Sequence, residues 1–302
     1  MVDIDWNERG TALTPLIEYD SPTALRRFLD ERGLGMQKKF GQNFLVNRGA
    51  RERLLDALGA GPEDAVWEVG PGLGAMTAGL LGRGARVTAF EIDRGFAAAL
   101  RELFAAYSSF RLVEGDALRT WKVEAATGLP RFFIGNLPYN IAATLLAAFV
   151  EEGAIFDRAV VTVQKEVARR MAARNGDDDY SSFSVLCASA YRVTPLMTLK
   201  PGSFYPAPNV DSAAVVMERR TDGTLESLPR LFRPLVRALF ASRRKTVRNN
   251  LETFVAALGV AADAGDVAAA ALEAAGIPPS ARAEVLDIAA FAALAAALEE
   301  RT

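Results

Sequence analysis

Residues 66 to 74 read Val66-Trp67-Glu68-Val69-Gly70-Pro71-Gly72-Leu73-Gly74, and the rest of the chain is best interpreted from this stretch. The apolar run at its start predicts a buried strand, and apolar residues resume at helical spacing after Gly74. Glycines let the backbone pass close to a ligand, and the first turn of the following helix presents unpaired N–H groups. The stretch therefore predicts a strand, a glycine turn and a helix that bind a ligand.

Carboxylates follow the next two predicted strands. Glu91 ends the strand from Arg86 to Phe90 and lies about twenty residues beyond Gly70, where a carboxylate holds a ribose diol. Asp116 follows the strand from Phe110 to Glu114, where it would accept from an adenine amino group. A nicotinamide dinucleotide also fits part of this pattern. S-adenosylmethionine is favoured because the turn is Gly-x-Gly-x-Gly, no later glycine packs the helix against the strand, and Asp116 adds a third strand end. Each carboxylate taken alone is equally consistent with helix capping.

The tetrad Asn136-Leu137-Pro138-Tyr139 ends a further predicted strand. An exocyclic amine of adenine is a weak nucleophile, so an enzyme that methylates it must hold both N–H groups with acceptors. The Asn136 side-chain oxygen and the backbone carbonyl of Leu137 or Pro138 can supply them, while Tyr139 offers a stacking face for an extruded base. The alternative is an ordinary buried turn, because Asn-x-Pro after a strand is common turn chemistry.

The alternation of strands and helices predicts an α/β fold with a seven-stranded, Rossmann-like sheet whose last strand is antiparallel, followed by a smaller all-helical part. The predicted strands are Val66 to Val69, Arg86 to Phe90, Phe110 to Glu114, Arg131 to Ile134, Arg158 to Val163, Val185 to Val193 and Ala213 to Met217. We expect residues 1–35 to form an N-terminal extension with one helix between Ser21 and Gly33, 36–220 the methyltransferase domain and 221–302 a helical domain.

Composition narrows the function. The 302 residues are 50% hydrophobic and include one cysteine and no histidine, which argues against a disulfide framework, a zinc site and histidine-dependent catalysis. No metal is therefore predicted. The apolar run from Ile141 to Val150 is too short to span a bilayer, and without a leader pattern a cytoplasmic location is expected.

Basic residues cluster although the net charge is −2. One group lies around the start of the predicted methyltransferase domain and the other near the C-terminus: Lys38, Lys39, Arg48, Arg51 and Arg53, and Arg243, Arg244, Lys245 and Arg248. A solvated helix face is the ordinary explanation of such a group. Four cations within six positions repel each other, however, and an RNA backbone would relieve that repulsion. The second group therefore favours a nucleic-acid contact.

Eight motifs occur in an order that resembles one enzyme family. They are Lys38-Lys39-Phe40-Gly41-Gln42-Asn43-Phe44-Leu45, Glu68-Val69-Gly70-Pro71-Gly72-Leu73-Gly74, Glu91-Ile92-Asp93, Gly115-Asp116-Ala117, Asn136-Leu137-Pro138-Tyr139-Asn140, Gln164-Lys165-Glu166-Val167, Phe204-Tyr205-Pro206-Ala207-Pro208-Asn209-Val210-Asp211-Ser212 and Arg243-Arg244-Lys245-Thr246-Val247-Arg248-Asn249. From about residue 36 onward the chain resembles the small-subunit ribosomal RNA adenine dimethyltransferases. The resemblance implies S-adenosylmethionine-dependent dimethylation of N6 in two adjacent adenosines of the 3′-terminal hairpin of 16S rRNA, and a role in subunit biogenesis.

The resemblance also assigns roles to residues. It implies cofactor contacts from Asn43, Leu45, Gly70, Gly72, Glu91, Asp116 and Asn136. It implies a target-adenine pocket, the catalytic site, of Asn136, Leu137, Pro138, Tyr139 and Phe204, and RNA contacts from Lys38, Lys39, Arg243, Arg244, Lys245 and Arg248. The implied partner is 16S rRNA within the small ribosomal subunit, bound by a monomeric enzyme without a membrane or a metal.

Departures from the family pattern concern RNA affinity. Ser181 and Ser182 stand where relatives carry glycine and a basic residue, and Asn209 stands where many carry lysine.

Two alternative functions remain open. One is a large-subunit rRNA adenine methyltransferase of the antibiotic-resistance kind, against which the C-terminal basic motif and Asp211-Ser212 argue. The other is an assembly factor that retains the fold without the chemistry, against which the intact cofactor motifs argue.

Overall fold

The computed structural model describes residues 17–36, 41–259 and 263–302, together with the backbone of short strands at 5–6 and 12–13. The chain forms two compact units. The first comprises Met1–Phe149, Ala154–Ala168 and Thr194–Glu218, and the second Val150–Gly153, Arg169–Val193 and Arg219–Thr302. The second unit thus includes two stretches that the sequence analysis groups with residues 36–220.

Strands and helices alternate along the chain from β2 to β8. The strands are β1 (Asp5–Trp6), β2 (Ala12–Leu13), β3 (Phe44–Leu45), β4 (Ala65–Val69), β5 (Arg86–Glu91), β6 (Phe110–Glu114), β7 (Phe132–Asn136), β8 (Arg158–Gln164), β9 (Tyr191–Leu199), β10 (Phe204–Tyr205) and β11 (Ser212–Arg219). The helices are α1 (Pro22–Glu31), α2 (Arg48–Leu58), α3 (Ala75–Gly82), α4 (Arg94–Leu103), α5 (Ala117–Ala125), α6 (Ala142–Glu151), α7 (Lys165–Ala172), α8 (Ser182–Ala190), α9 (Phe232–Phe240), α10 (Val247–Ala257), α11 (Ala264–Ala274) and α12 (Ile288–Glu299).

The main sheet has seven strands in the order β6-β5-β4-β7-β8-β11-β9. The strands from β4 to β8 pair in parallel. The last strand along the chain, β11, runs antiparallel to β8, with Ser212 opposite Gln164 and Glu218 opposite Arg158. This arrangement confirms the predicted Rossmann-like sheet with an antiparallel last strand. The carboxyl ends of β4, β5, β6 and β7 consequently lie along one edge.

The central strands β4, β7 and β8 are largely buried, whereas β6 and β9 are partly exposed. Val66 belongs to the core cluster that contains residues of α1, α2, α3 and α4. The neighbouring Trp67 points to the opposite face, where its ring meets Phe90 and Phe156 at centroid distances of 5.1 and 5.8 Å. Each such edge-to-face pair contributes about 0.5–1.5 kcal/mol beyond its burial. Both faces therefore hold β4 rigidly beneath the glycine turn.

The prediction of a strand from Val185 to Val193 is wrong. Most of this stretch forms helix α8, and β9 begins only at Tyr191. The Ser181 N–H donates to the Ser184 hydroxyl at 3.0 Å, a capping contact that starts the helix. Short apolar runs buried on all sides do not show a helical stripe, and for that reason the sequence pattern was ambiguous here.

Helix α1 begins and ends where its capping pattern predicts. The Ser21 side chain accepts from the Ala24 N–H at 3.2 Å, Pro22 occupies the first turn, and Gly33 after the helix has φ +62°. Its apolar residues Leu25, Phe28 and Leu29 are buried. Packing of this apolar stripe fixes α1 within the core of the first unit.

The second unit is built around its own apolar core. Its largest buried side chains include Phe232 of α9 and Phe291 of α12. Asn250 of α10 donates to the carbonyls of Leu239 and Ser242 at 2.9 and 3.2 Å. These two hydrogen bonds hold the turn between α9 and α10 that carries the C-terminal basic residues.

Candidate active site

A cavity of about 290 Å³ lies at the carboxyl ends of β4, β5, β6 and β7 in the first unit. This is the edge where open parallel sheets bind ligands. The predicted cofactor residues all line it: Asn43, Leu45, Gly70, Gly72, Glu91, Asp116 and Asn136. The structure therefore brings together residues that are separated by up to four strands in the sequence.

The glycine turn keeps the cavity open. Gly70 has φ +70°, and a Cβ built there would lie 3.5 Å from Pro138 Cδ and 3.7 Å from the Asn136 carbonyl oxygen. A side chain at this position would fill the space between the turn and the Asn136 segment. At Gly72 a Cβ would come within 2.9 Å of the Phe44 ring. Both positions have positive φ, which favours glycine and suits a ligand that passes close to the backbone.

Glu91 presents a buried carboxyl group to the cavity. Burial raises its pKa to about 7, although backbone N–H groups favour the charged form. The Asp93 N–H, for example, donates to Glu91 Oε1 at 2.8 Å. A buried carboxylate needs further donors, and the two hydroxyls of a ribose diol would provide them. The site's donor requirement thus fits the ribose of S-adenosylmethionine.

Glu68 is a second buried carboxyl group on the cavity wall. Burial raises its pKa to about 7, partly opposed by the Thr77 hydroxyl, which donates to Oε2 at 2.6 Å. The nearby charge of Glu91 also raises it. Glu68 belongs to the glycine motif, but its sequence context indicates no role for it.

The remaining carboxylates divide between capping and the cavity. Asp93 caps α4 through the Gly95 and Phe96 N–H groups, and its other oxygen accepts from Gln42 Nε2 at 3.2 Å. Asp116 both lines the cavity and caps α5, because its Oδ1 accepts from the Leu118 N–H at 3.0 Å. Capping is therefore compatible with a ligand role for Asp116, because its Oδ2 accepts no hydrogen bond from the described residues.

Asn136 is held in one orientation at the end of β7. Its Nδ2 donates to the Asn43 carbonyl at 2.7 Å, and a carbonyl only accepts, so the amide nitrogen must face Asn43. The side-chain oxygen accepts no hydrogen bond from the residues that the structure describes. Asn136 is thus preset to accept a hydrogen bond inside the cavity.

The two candidate backbone acceptors differ. The Pro138 carbonyl already accepts from the Ile141 and Ala142 N–H groups, both at 3.1 Å, where α6 begins. The Leu137 carbonyl accepts none within the described parts of the chain, while its own N–H is bound to Thr162. Of the two alternatives left open by the sequence, the geometry therefore favours Leu137. Its side chain is only 1% exposed and belongs to the core.

The predicted aromatic residues have different positions. Tyr139 is partly buried and its hydroxyl pairs with the Ser212 hydroxyl at 2.6 Å; burial raises its pKa. Phe204 lies in β10, paired with Leu45 in β3, and is 4% exposed within the core. It is absent from the described cavity wall, so an exposed loop presenting Phe204 to a base does not match its position here.

The cavity wall also includes residues for which the sequence indicated no role, among them Tyr19, Glu68 and Ile92. Ile92 is 42% exposed and offers an apolar surface beside Glu91. Its position between Glu91 and Asp93, in the motif after β5, was the sequence feature that could have identified it as a wall residue. Tyr19 precedes α1 and carried no recognisable signal.

The basic residues are not equivalent. In the turn between α9 and α10, Arg244 and Lys245 are exposed and make no ion pair within the described residues. Arg243 lies 3.5 Å from Glu284, and Arg248 lies 2.7 Å from Glu252. In the N-terminal group, Lys38 and Lys39 lie outside the described residues.

Arg51, from the N-terminal basic group, is a structural residue. It is 8% exposed, pairs with Asp20 and donates to the Leu45 carbonyl at 2.8 Å.

Among the described helices, none is long and apolar enough to cross a bilayer.

A parallel sheet with a glycine turn, a buried glutamate after β5 and an Asn-Leu-Pro-Tyr turn after β7 defines a Rossmann-like methyltransferase. A sequence model described as "Ribosomal RNA adenine dimethylase" matches residues 33–270. The chain belongs to this family and is an rRNA adenine dimethyltransferase.

Similar proteins support this family assignment. The chain is 45% identical over 271 residues to Ribosomal RNA small subunit methyltransferase A of Treponema denticola, covering 89% of this chain and 91% of the relative. It is 38% identical over 271 residues to the protein of the same name from Pseudomonas fluorescens, covering 88% and 94%. A dimethyladenosine transferase from Plasmodium falciparum shares the fold, with a TM-score of 0.71, 24% identity and coverage of 84% and 97%. The 23S rRNA methyltransferase ErmE has a TM-score of 0.56, 25% identity and coverage of 84% and 99%.

Proposed function

We propose that this enzyme uses S-adenosylmethionine to dimethylate N6 of two adjacent adenosines in the 3′-terminal hairpin of 16S rRNA, within the small ribosomal subunit. The observation that carries the proposal is the orientation of the Asn136 amide, whose oxygen has no donor among the described residues. The neighbouring Leu137 carbonyl, which also has none there, would be the second acceptor. The proposal extends to a role in subunit biogenesis. The names of the relatives support the small subunit as the substrate.

One set of residues would bind the methyl donor and another the target adenine. Bound S-adenosylmethionine supplies a methyl group on positively charged sulfur. Glu91 would accept from its ribose hydroxyls and Asp116 from its adenine amino group, while Asn43, Leu45, Gly70 and Gly72 would line its path. Asn136 and Leu137 would hold the two hydrogens of the target N6, and these hydrogen bonds would strengthen as positive charge develops on nitrogen.

No dedicated base is required for this transfer. The methylated amine carries a surplus proton that is acidic enough to pass to water, and the chain contains no histidine. Positioning and the two acceptors would supply the rate enhancement. Tyr139, held by Ser212, would present its ring to the extruded adenine. Pro138, in the cavity wall, would complete this pocket, to which the resemblance also assigns Phe204.

RNA contacts would come mainly from the turn between α9 and α10. Arg244 and Lys245 are exposed there, and Arg243 and Arg248 could exchange their present ion pairs for phosphates. We extend the contact to Lys38 and Lys39 by resemblance. Ser182 and the exposed Asn209, which stand where relatives carry basic residues, would each remove a phosphate contact and lower affinity. We place the enzyme in the cytoplasm, because its substrate is assembled there. We also propose that it acts as a monomer.

Mapping the methylated nucleotides tests this proposal. Undermethylated small subunits are incubated with the protein and labelled S-adenosylmethionine, and the modified positions are identified by mass spectrometry of rRNA fragments. We expect N6,N6-dimethyladenosine at two adjacent positions near the 3′ end of 16S rRNA. Label found only in 23S rRNA, or no transfer to any adenosine, would refute the assignment.

A further inference from the structure

We propose that Tyr19, in the segment before α1, is a positioning residue for the methyl donor because it holds the glycine turn of the cavity. This inference rests on the proposed function, since the donor is the ligand of that turn. Tyr19 lies ahead of residues 33–270, the range matched by the family's sequence model.

Tyr19 contacts the turn directly. It lines the cavity, and its hydroxyl donates to the Leu73 carbonyl at 3.1 Å. Leu73 lies between Gly72 and Gly74, which both have positive φ, and its side chain is 2% exposed. Burial raises the pKa of Tyr19 well above its usual range, so the phenol remains protonated and can keep donating. Its hydrogen bond thus ties the turn to a segment distant in sequence.

The segment that carries Tyr19 is itself anchored at several points. Asp20 pairs with Arg51, which also donates to the carbonyl of the cavity residue Leu45 at 2.8 Å. Leu25 of α1 is 1% exposed and lines the same cavity. The segment therefore forms a fixed part of the wall.

Loss of the Tyr19 hydroxyl would leave the Leu73 carbonyl without its partner. A buried acceptor without a donor is unfavourable, and the turn would relax toward other conformations. Because Gly70 and Gly72 must keep their positions for the donor to bind, relaxation weakens donor binding. Methyl transfer from donor already bound would change little.

Calorimetric binding of S-adenosylmethionine tests this role. We expect Tyr19→Phe to raise the Kd about fivefold and Tyr19→Ala to raise it more than about tenfold. In steady-state assays the KM for the donor should rise in parallel, while kcat at saturating donor and the KM for small subunits stay close to wild type.

Tyr180→Phe is the matched control. Tyr180 is also a buried tyrosine, and its hydroxyl donates to the Leu286 carbonyl at 2.9 Å in the second unit. This variant should lower thermal stability without changing the donor Kd. If Tyr19→Phe leaves the Kd at the wild-type value, or if Tyr180→Phe raises it equally, Tyr19 has no positioning role. Failure of the wild-type protein to bind the donor would instead overturn the proposed function.

Discussion

At the residue scale, the site depends on polar groups whose surroundings leave them one option. The Asn136 amide is oriented with its nitrogen toward the Asn43 carbonyl, which leaves its oxygen to accept a hydrogen bond. The Pro138 carbonyl is occupied by the start of α6, which leaves Leu137. The sequence shows that an asparagine follows β7, but these orientations depend on Asn43 and on helix geometry. They could not be derived from the tetrad alone.

Glu91 should make donor binding depend on pH. Its pKa of about 7 means that near neutrality part of the population carries a proton, whereas a ribose diol donates best to the charged carboxylate. Because binding favours the deprotonated form, affinity should rise with pH through about 7. Below that value the Kd should worsen by up to about tenfold per pH unit.

Calorimetry at pH 6 and pH 8 measures this effect. Glu91→Gln, which keeps the shape without a titrating proton, should bind the donor more weakly at pH 8 and show a much flatter pH profile. A wild-type Kd that is constant from pH 6 to pH 8 would argue against a diol at Glu91.

At the element scale, the glycines of the turn differ in what an added side chain would meet: the cavity at Gly70 and the packed core at Gly74. A Cβ at Gly70 would point into the space beside Pro138, whereas one at Gly74 would lie 2.4 Å from the Phe104 ring. Both residues have positive φ, so alanine at either position also costs about 1 kcal/mol in backbone strain.

The two alanine variants should therefore differ. We expect Gly70→Ala to weaken donor binding at least about tenfold with a small loss of stability, since it fills ligand space. Gly74→Ala should lower the free energy of unfolding by roughly 2–4 kcal/mol through overpacking and strain. Urea unfolding and calorimetry distinguish them. Equal losses of stability in both variants would contradict this division.

The turn between α9 and α10 gives a second prediction at this scale. Arg244→Gln together with Lys245→Gln should weaken binding to small subunits and reduce the slope of log affinity against log salt by roughly two units. Arg219→Gln is the control, because Arg219 lies 3.2 Å from Glu226 in an ion pair of the same unit. A slope unchanged by the double substitution would mean that these residues do not contact phosphates.

Elements were predictable to the extent that their apolar patterns were distinctive. The strands β4, β7 and β8 are mainly apolar, and α1 follows its cap and apolar stripe. The stretch that forms α8 carries small and apolar residues buried on every side, so neither a period of two nor of 3.6 is visible. Phe204 likewise looked like a loop residue because its pairing with Leu45 spans most of the first unit's sequence.

At the scale of the whole molecule, charge distribution accounts for an RNA enzyme with a net charge of −2. Many arginines are neutralised locally, as in the pairs Arg111–Glu124 and Arg158–Glu218. An arginine paired with a carboxylate contributes little net field at a distance, so the unpaired cations contribute most to the attraction of phosphate. Total charge therefore says little about this substrate, and the sequence alone could not show which arginines are paired.

The central claim is that the Asn136 oxygen accepts a hydrogen of the target amine. Single-turnover methyl transfer to undermethylated small subunits, at saturating donor, tests it most directly with Asn136→Ala. We expect the rate constant to fall at least about 100-fold while subunit binding stays within about twofold of wild type. A rate constant within about threefold of wild type would contradict the account.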